Sequence, residues 1–289
     1  MLYSAEDLAT QTFPEETFLV EGLIPLGGLV MLHGKRGIGK SQFSMTLAHS
    51  IVNGLDLFGT FAVNQGPVLL VQIDMTPQLT QLRLHKLWGQ YGMKGIHWWL
   101  EPSMDIKEMD KAHKLVRAVN DLKPVLVVWD TLRKIHRMKE NQSETAQFIY
   151  SAVKKYMNGP THMFIHHDKK TQMDPNGELD PEEAFRGTTD WIDSVDTSMQ
   201  LWEQNRGRLG LKFHKCRTMA EDDRPQFVLE MDQETLFLLP HGNVTGIREQ
   251  VNDLIASGIT DQAEIVRTLI GRGICTRRVA EQFSRVLDK

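Results

Sequence analysis

A glycine-rich stretch between an apolar run and an amphipathic run constrains this chain more than any other feature. Residues 29–33 read LVMLH and residues 34–41 read GKRGIGKS, which matches the spacing G-x-x-x-x-G-K-S. Glycine adopts backbone angles closed to other residues and lets a ligand approach the main chain closely. The pattern predicts a buried strand, a tight loop and a helix whose N-terminus faces that loop. Main-chain N–H groups at such a helix start attract phosphate groups.

The loop also carries the side chains expected of a nucleotide site. Lys40 is predicted to reach the β- and γ-phosphates, and the Ser41 hydroxyl to hold Mg²⁺. A chance match in a glycine-rich turn is the alternative, and the flanking strand and helix favour nucleotide binding. The predicted nucleotide-binding residues are those of the loop and the first helical turn: Gly34, Lys35, Arg36, Gly37, Ile38, Gly39, Lys40, Ser41 and Gln42.

Three further apolar runs, each typical of a central parallel strand, end in polar residues. Asp74 follows residues 68–73, Asp130 follows residues 125–129, and His166 and His167 follow residues 163–165. Ligands of open α/β sheets lie at the carboxyl ends of the strands, so these side chains should meet the loop in one crevice. Asp130 is predicted to join Ser41 at Mg²⁺; the alternative is an ordinary helix N-cap.

The order of these runs predicts the fold class and two domains. Strands alternating with helices over residues 1–240 predict an α/β domain with a mostly parallel central sheet flanked by helices. A long polar loop at 168–187 precedes four β-rich segments, at about 198–202, 209–215, 227–230 and 235–239.

Residues 244–289 predict a small helical domain with helices at about 245–257, 261–270 and 276–287. The last two helices have helix-turn-helix or winged-helix spacing, which favours DNA contact. A bundle that caps the main domain or mediates assembly stays open, because seven basic residues face six acidic ones in this segment.

Composition excludes several other classes of protein. The net charge of −4 over 289 residues excludes a wholly basic nucleic-acid binder, although a local basic surface remains compatible with it. No apolar run reaches the roughly 18 residues of a membrane span. Two cysteines without metal-ligand spacing fit a reducing, cytoplasmic location.

Together these pieces resemble the RecA-like P-loop ATPases, among them the plasmid hexameric replicative helicase RepA and related phage and plasmid AAA-type ATPases. The resemblance covers roughly residues 18–240. It rests on the segments 34–41, 66–74, 83–84, 127–136 with 140–141, 164–167 and 186–187. It implies a RecA-like core and a homo-oligomeric, hexameric ring that uses ATP and Mg²⁺ on single-stranded DNA.

The resemblance also implies roles for single residues. Lys40 and Asp130 would be catalytic, Asp74 would polarise the attacking water, and His167 would sense the γ-phosphate. The family usually has Glu where this chain has Asp74, which is one methylene shorter. Lys215 and Arg217 would lie on one face of a strand and act on the nucleotide of a neighbouring subunit; two exposed cations on an edge strand are the alternative.

The loop beyond His167 lines a channel for single-stranded DNA in the family. The cations that this chain offers there are Lys169, Lys170 and Arg186. A solvated loop with ordinary surface charge is the alternative, because the same loop holds several carboxylates.

The sequence leaves three functions open. A hexameric motor acting as a replicative-type DNA helicase is the first. A non-helicase ATPase of the same fold, such as a recombination mediator, a helicase loader or a DNA-binding regulatory ATPase, is the second. An ATP-gated assembly or scaffold module is the third, and Asp74 in place of Glu is its best support.

Overall fold

The computed structural model describes residues 4–11, 17–73, 75–87, 93–101, 105–168, 189–204, 207–232, 236–240, 251 and 253–271. The helices among them are α1 (Ala5–Thr10), α2 (Lys40–Asn53), α3 (Pro77–Leu87), α4 (Met109–Leu122), α5 (Ser143–Tyr156), α6 (Asp190–Asp193) and α7 (Gln262–Gly271). The strands are β1 (Phe18–Val20), β2 (Ile24–Pro25), β3 (Leu29–Gly34), β4 (Val68–Gln72), β5 (Ile96–Leu100), β6 (Leu126–Asp130), β7 (Thr161–His167), β8 (Thr197–Glu203), β9 (Leu209–Cys216), β10 (Gln226–Met231) and β11 (Leu238–Pro240).

Nine of the described strands form one sheet in the order β11-β10-β9-β8-β3-β7-β6-β4-β5. The six strands from β8 to β5 are parallel, and β9, β10 and β11 extend the sheet in antiparallel fashion. The prediction of a mostly parallel sheet with flanking helices is therefore confirmed. β3 lies between β7 and β8, so the glycine-rich loop leaves the sheet near its middle.

The sheet separates two apolar layers because neighbouring residues of a strand point to opposite faces. On one face, Val30 and Leu32 of β3 pack with Phe43, Leu47 and other residues of α2. On the other face, Met31 packs with residues of α4 and α5. The predicted strands were continuous apolar runs for this reason: both faces of the parallel strands are covered.

The antiparallel strands β9 and β11 contact α2. The main-chain N–H of Leu238 in β11 donates to the Thr46 hydroxyl of α2 at 2.9 Å. Leu211 and Phe213 of β9 belong to the same apolar layer as α2. The four β-rich segments predicted from the sequence thus complete the main sheet, on the side of the glycine-rich loop.

Of the predicted C-terminal domain, the structure describes a helical segment at 253–256 and α7. The first segment ends at Gly258, which has φ +96°, as expected for a left-handed helix end. The Asp261 carboxylate caps α7 by accepting from the N–H of Glu264 at 2.8 Å. The predicted third helix lies outside the described residues, so the helix-turn-helix arrangement stays a prediction.

None of the helices in the described part of the chain is both long and apolar enough to cross a membrane.

Candidate nucleotide site

The glycine-rich loop turns sharply between β3 and α2. Gly37 and Gly39 have φ +77° and +109°, which L-residues with a side chain rarely adopt. A Cβ on Gly39 would lie 3.3 Å from the Leu209 side chain, because the start of β9 packs closely against the loop. Glycine is therefore required here both for backbone conformation and for space, and the loop opens toward the N-terminus of α2.

Lys40 is held in place by the loop itself. Its Nζ donates to the carbonyl oxygens of Gly34 and Lys35, each at 2.7 Å, and the residue is only 4% exposed. Burial lowers the pKa of Lys40 to about 8, while the carboxylates of Asp168 and Asp130 act in the opposite direction. The Lys40 ammonium group therefore lies within the loop, where it can bind phosphate oxygens.

Ser41 and Asp130 come together as the sequence predicts. The Ser41 hydroxyl, in the first turn of α2, donates to Oδ2 of Asp130 at 2.6 Å. Asp130 is the last residue of β6, so the carboxyl end of that strand faces the start of α2. A hydroxyl and a carboxylate are oxygen ligands of the kind that Mg²⁺ prefers, so these two residues fit Mg²⁺.

The end of β7 lies beside the first glycine of the loop. Gly34 of β3 is the register partner of His167, which is half-buried. The N–H of Asp168 donates to the Gly34 carbonyl at 3.2 Å, so this carbonyl accepts from both Asp168 and Lys40. His167 is therefore the last residue of β7 and lies at the sheet edge from which the loop leaves, as the sequence predicts.

Sequence reasoning missed Asp168 and His33. The His33 ring is fully buried, and its Nδ1–H donates to Oδ1 of Asp168 at 2.8 Å. His33 also lies 6.1 Å, between ring centroids, from His214, whose Nε2 contacts Oε1 of Gln200 at 3.1 Å. The one available signal was a histidine within an otherwise apolar strand, directly before the glycine-rich loop.

Contacts around Glu140, whose side chain is 8% exposed, support the segment that follows Asp130. Glu140 lies 3.8 Å from the Arg133 Nε and 3.8 Å from His166 Nδ1. The Trp191 indole donates to the Glu140 carbonyl at 3.0 Å, and the Tyr150 hydroxyl donates to the Trp191 carbonyl at 2.8 Å. Arg133 therefore takes part in contacts within the fold.

Lys215 and Arg217 lie away from the phosphate loop of their own chain. Lys215 is the register partner of Ser198, which pairs with Met31, three residues before Gly34. Its Nζ donates to the Asp193 carbonyl, and partial burial together with Arg217 lowers the pKa of Lys215.

Arg217 differs from the sequence-based expectation. β9 ends at Cys216, so Arg217 lies in the turn after the strand and does not share a strand face with Lys215. Its N–H donates to the Asp196 carbonyl at 3.2 Å, and its guanidinium lies 3.3 Å from Oδ1 of Asp196. The side chain is 58% exposed, which leaves it accessible from outside the chain.

Four predicted site residues lie outside the described residues: Asp74, Lys169, Lys170 and Arg186. Their roles stay predictions.

A cavity of about 330 Å³ adjoins the tip of the loop. Residues 35–38 form one side, and Glu203, Leu209 and Met231 are among the residues of the other side. The cavity therefore lies between the phosphate loop and the ends of β8, β9 and β10.

Comparisons with known proteins agree with this geometry. The model of the AAA domain family matches residues 2–173, more than half of the chain. This chain belongs to that AAA domain family. No curated protein sequence matches the chain.

Two solved structures resemble the fold of this AAA domain protein. The first is an ATPase domain, with a TM-score of 0.57 at 12% identity and with 75% of this chain and 85% of that chain covered. The second is a KaiC-like protein from the hyperthermophilic archaeon Pyrococcus horikoshii OT3, with a TM-score of 0.54 at 14% identity and with 78% and 94% covered. The family and the fold together make the protein a RecA-like P-loop ATPase.

Proposed function

We propose that this ATPase works as an oligomeric ring, a hexamer, that moves along single-stranded DNA as a replicative-type helicase. The observation that carries the proposal is the separation of Lys215 and Arg217 from the phosphate loop of their own chain. The other predicted catalytic residues that the structure describes, which are Lys40, Asp130 and His167, gather at the loop. The site of one chain therefore lacks the two cations, and a second subunit could supply them.

The strand register gives the size of this separation. Lys215 lies at the level of Met31, three residues from Gly34, which corresponds to about 10 Å along a strand. The N–H of Arg217 donates to Asp196, whose own N–H donates to the Leu29 carbonyl. Arg217 is thus five residues, or about 17 Å, from the loop along the strands. An arginine that acts from a neighbouring subunit stabilises the charge that develops during phosphoryl transfer.

The residues of one chain divide the chemical work. Lys40 binds the β- and γ-phosphate oxygens once it leaves the carbonyls of Gly34 and Lys35. Ser41 and Asp130 would hold Mg²⁺, which supplies positive charge against the phosphates when bound. Asp74 accepts a proton from the attacking water. His167 contacts the γ-phosphate and passes its state to the loop that contains Lys169, Lys170 and Arg186, the proposed DNA contacts.

Two assays test the proposal. ATP hydrolysis is measured with and without single-stranded DNA, and strand separation is measured on a forked duplex, with Lys40→Ala as the inactive control. The proposal expects hydrolysis that DNA stimulates and unwinding that requires ATP. DNA-stimulated hydrolysis without strand separation would instead favour a recombination mediator, a loader or a regulatory ATPase. Absence of hydrolysis would favour an ATP-gated scaffold.

A further inference from the structure

The Gly34 carbonyl is a junction between the phosphate loop and the end of β7. It accepts from Nζ of Lys40 at 2.7 Å and from the N–H of Asp168 at 3.2 Å. A carbonyl oxygen has two lone pairs, and both are used here. The resting place of the Lys40 ammonium therefore depends on the residue that holds this carbonyl from the other side.

The side chain of Asp168 is itself fixed by the strand that carries the loop. Oδ1 of Asp168 accepts from Nδ1 of His33 at 2.8 Å, and the side chains are 6% and 0% exposed. His33 is the residue directly before Gly34, so His33, Gly34 and Asp168 form a closed set of contacts between β3 and β7. A buried, hydrogen-bonded carboxylate of this kind has little freedom to move away.

Asp168 places a negative charge beside a site that must bind polyphosphate. The carboxylates of Asp168 and Asp130 both raise the pKa of Lys40 against the effect of burial. Asp130 is expected to face Mg²⁺, whose charge offsets its own, whereas Asp168 faces His33. Its charge therefore favours the resting ammonium and disfavours incoming phosphates.

We propose that Asp168 is a positioning residue of the nucleotide site, which holds Lys40 in its resting place and thereby weakens nucleotide binding and speeds nucleotide release. The inference rests on the proposed function only in that the loop binds a nucleotide; it does not depend on DNA or on a ring. A residue of this kind would keep product from remaining at the site.

The test measures binding and release of fluorescent ADP with Mg²⁺ by the full chain. Asp168→Asn removes the charge but keeps the size, and we expect about 3- to 10-fold tighter binding through slower dissociation, the effect of one partly buried charge. Asp168→Glu keeps the charge but lengthens a buried side chain, so it should not tighten binding. Asp121→Asn is the matched control, because Asp121 is exposed at the end of α4, toward the amino ends of the strands.

The direction of the change in nucleotide affinity distinguishes a positioning role of Asp168 from damage to the loop. A variant that merely disturbs the loop binds nucleotide more weakly, so unchanged or weaker binding by Asp168→Asn would overturn the proposal. If Asp168→Asn does not fold, the double variant His33→Leu/Asp168→Leu replaces the buried pair by apolar side chains, a change that proteins often tolerate, and the same tightening is expected. A wild type that binds no nucleotide would contradict the proposed function instead, and the same titration measures it.

Discussion

His162 should make the stability of the protein depend on pH in a defined window. The residue lies in β7, only 2% exposed, beside the strand that ends in Asp130. Its Nε2 lies 2.9 Å from the Met157 carbonyl, which only accepts, so Nε2 carries the proton. Its Nδ1 accepts from the Trp129 indole at 3.2 Å. Both ring nitrogens are therefore satisfied in the neutral form, and protonation of Nδ1 would break the bond to Trp129.

Burial lowers the pKa of His162 from 6.5 to about 4. Between these values the unfolded chain binds the proton and the folded chain does not, so acid favours unfolding. The contribution of neutral His162 to the free energy of unfolding is fully present above pH 6.5 and decreases as the pH falls toward 4. A shift of this size corresponds to about 2 kcal/mol lost between pH 7 and pH 5, and about 3 kcal/mol by pH 4.

Urea unfolding at pH 7, 5 and 4, followed by tryptophan fluorescence, measures this loss. His162→Gln cannot titrate, so its free energy of unfolding should fall less between pH 7 and pH 4 than that of the wild type, by about 3 kcal/mol. Burial also lowers the pKa of His214 to about 4, so the variant keeps part of the dependence. Equal pH dependence in wild type and variant would refute the reasoning.

Three other experiments test the site. Gly34→Ala should cost about 1–3 kcal/mol of stability and impair nucleotide binding, because its Cβ would overlap the Leu201 carbonyl. Gly37→Ala has open space for its Cβ but is strained by its φ of +77°, so thermal unfolding of the two variants compares steric overlap with backbone strain. Ser41→Ala should lower Mg²⁺-dependent hydrolysis by about 10- to 100-fold in a steady-state assay, with the fold retained by circular dichroism. Neutralising the three loop cations named as DNA contacts should reduce DNA-stimulated hydrolysis and spare basal hydrolysis; stimulation equal to the wild type would favour the solvated loop.

The parallel part of the fold could be predicted because its strands are buried on both faces. The runs that form β3, β4 and β6 are mostly apolar, whereas β7 has a shorter apolar centre at residues 163–165 between polar residues. Glycine or proline marks several of their boundaries. The pairing of Ser41 with Asp130 was also predictable, since both lie at strand or helix ends of a known loop pattern. These signals are local, so no knowledge of distant contacts was needed.

The remaining features depend on contacts between distant parts of the chain. Asp168 gains its position from the register of β3 with β7, which brings it to His33 across 135 residues of sequence. The sequence predicts that Arg217 lies in a strand. In the structure β9 ends at Cys216, and the N–H of Arg217 donates to the Asp196 carbonyl. Neither register nor a strand end is specified by residue type alone.

The most direct test of the central claim, that each nucleotide site is completed by a second subunit, mixes two inactive variants. Asp130→Ala lacks the Mg²⁺ ligand and Arg217→Ala lacks the exposed guanidinium, while Arg137→Ala, at another exposed arginine, is the control expected to stay active. Some interfaces of a mixed ring pair an intact Asp130 with an intact Arg217. The account predicts that ATP hydrolysis returns on mixing. No recovery, with the mixed oligomer shown to form, would contradict it.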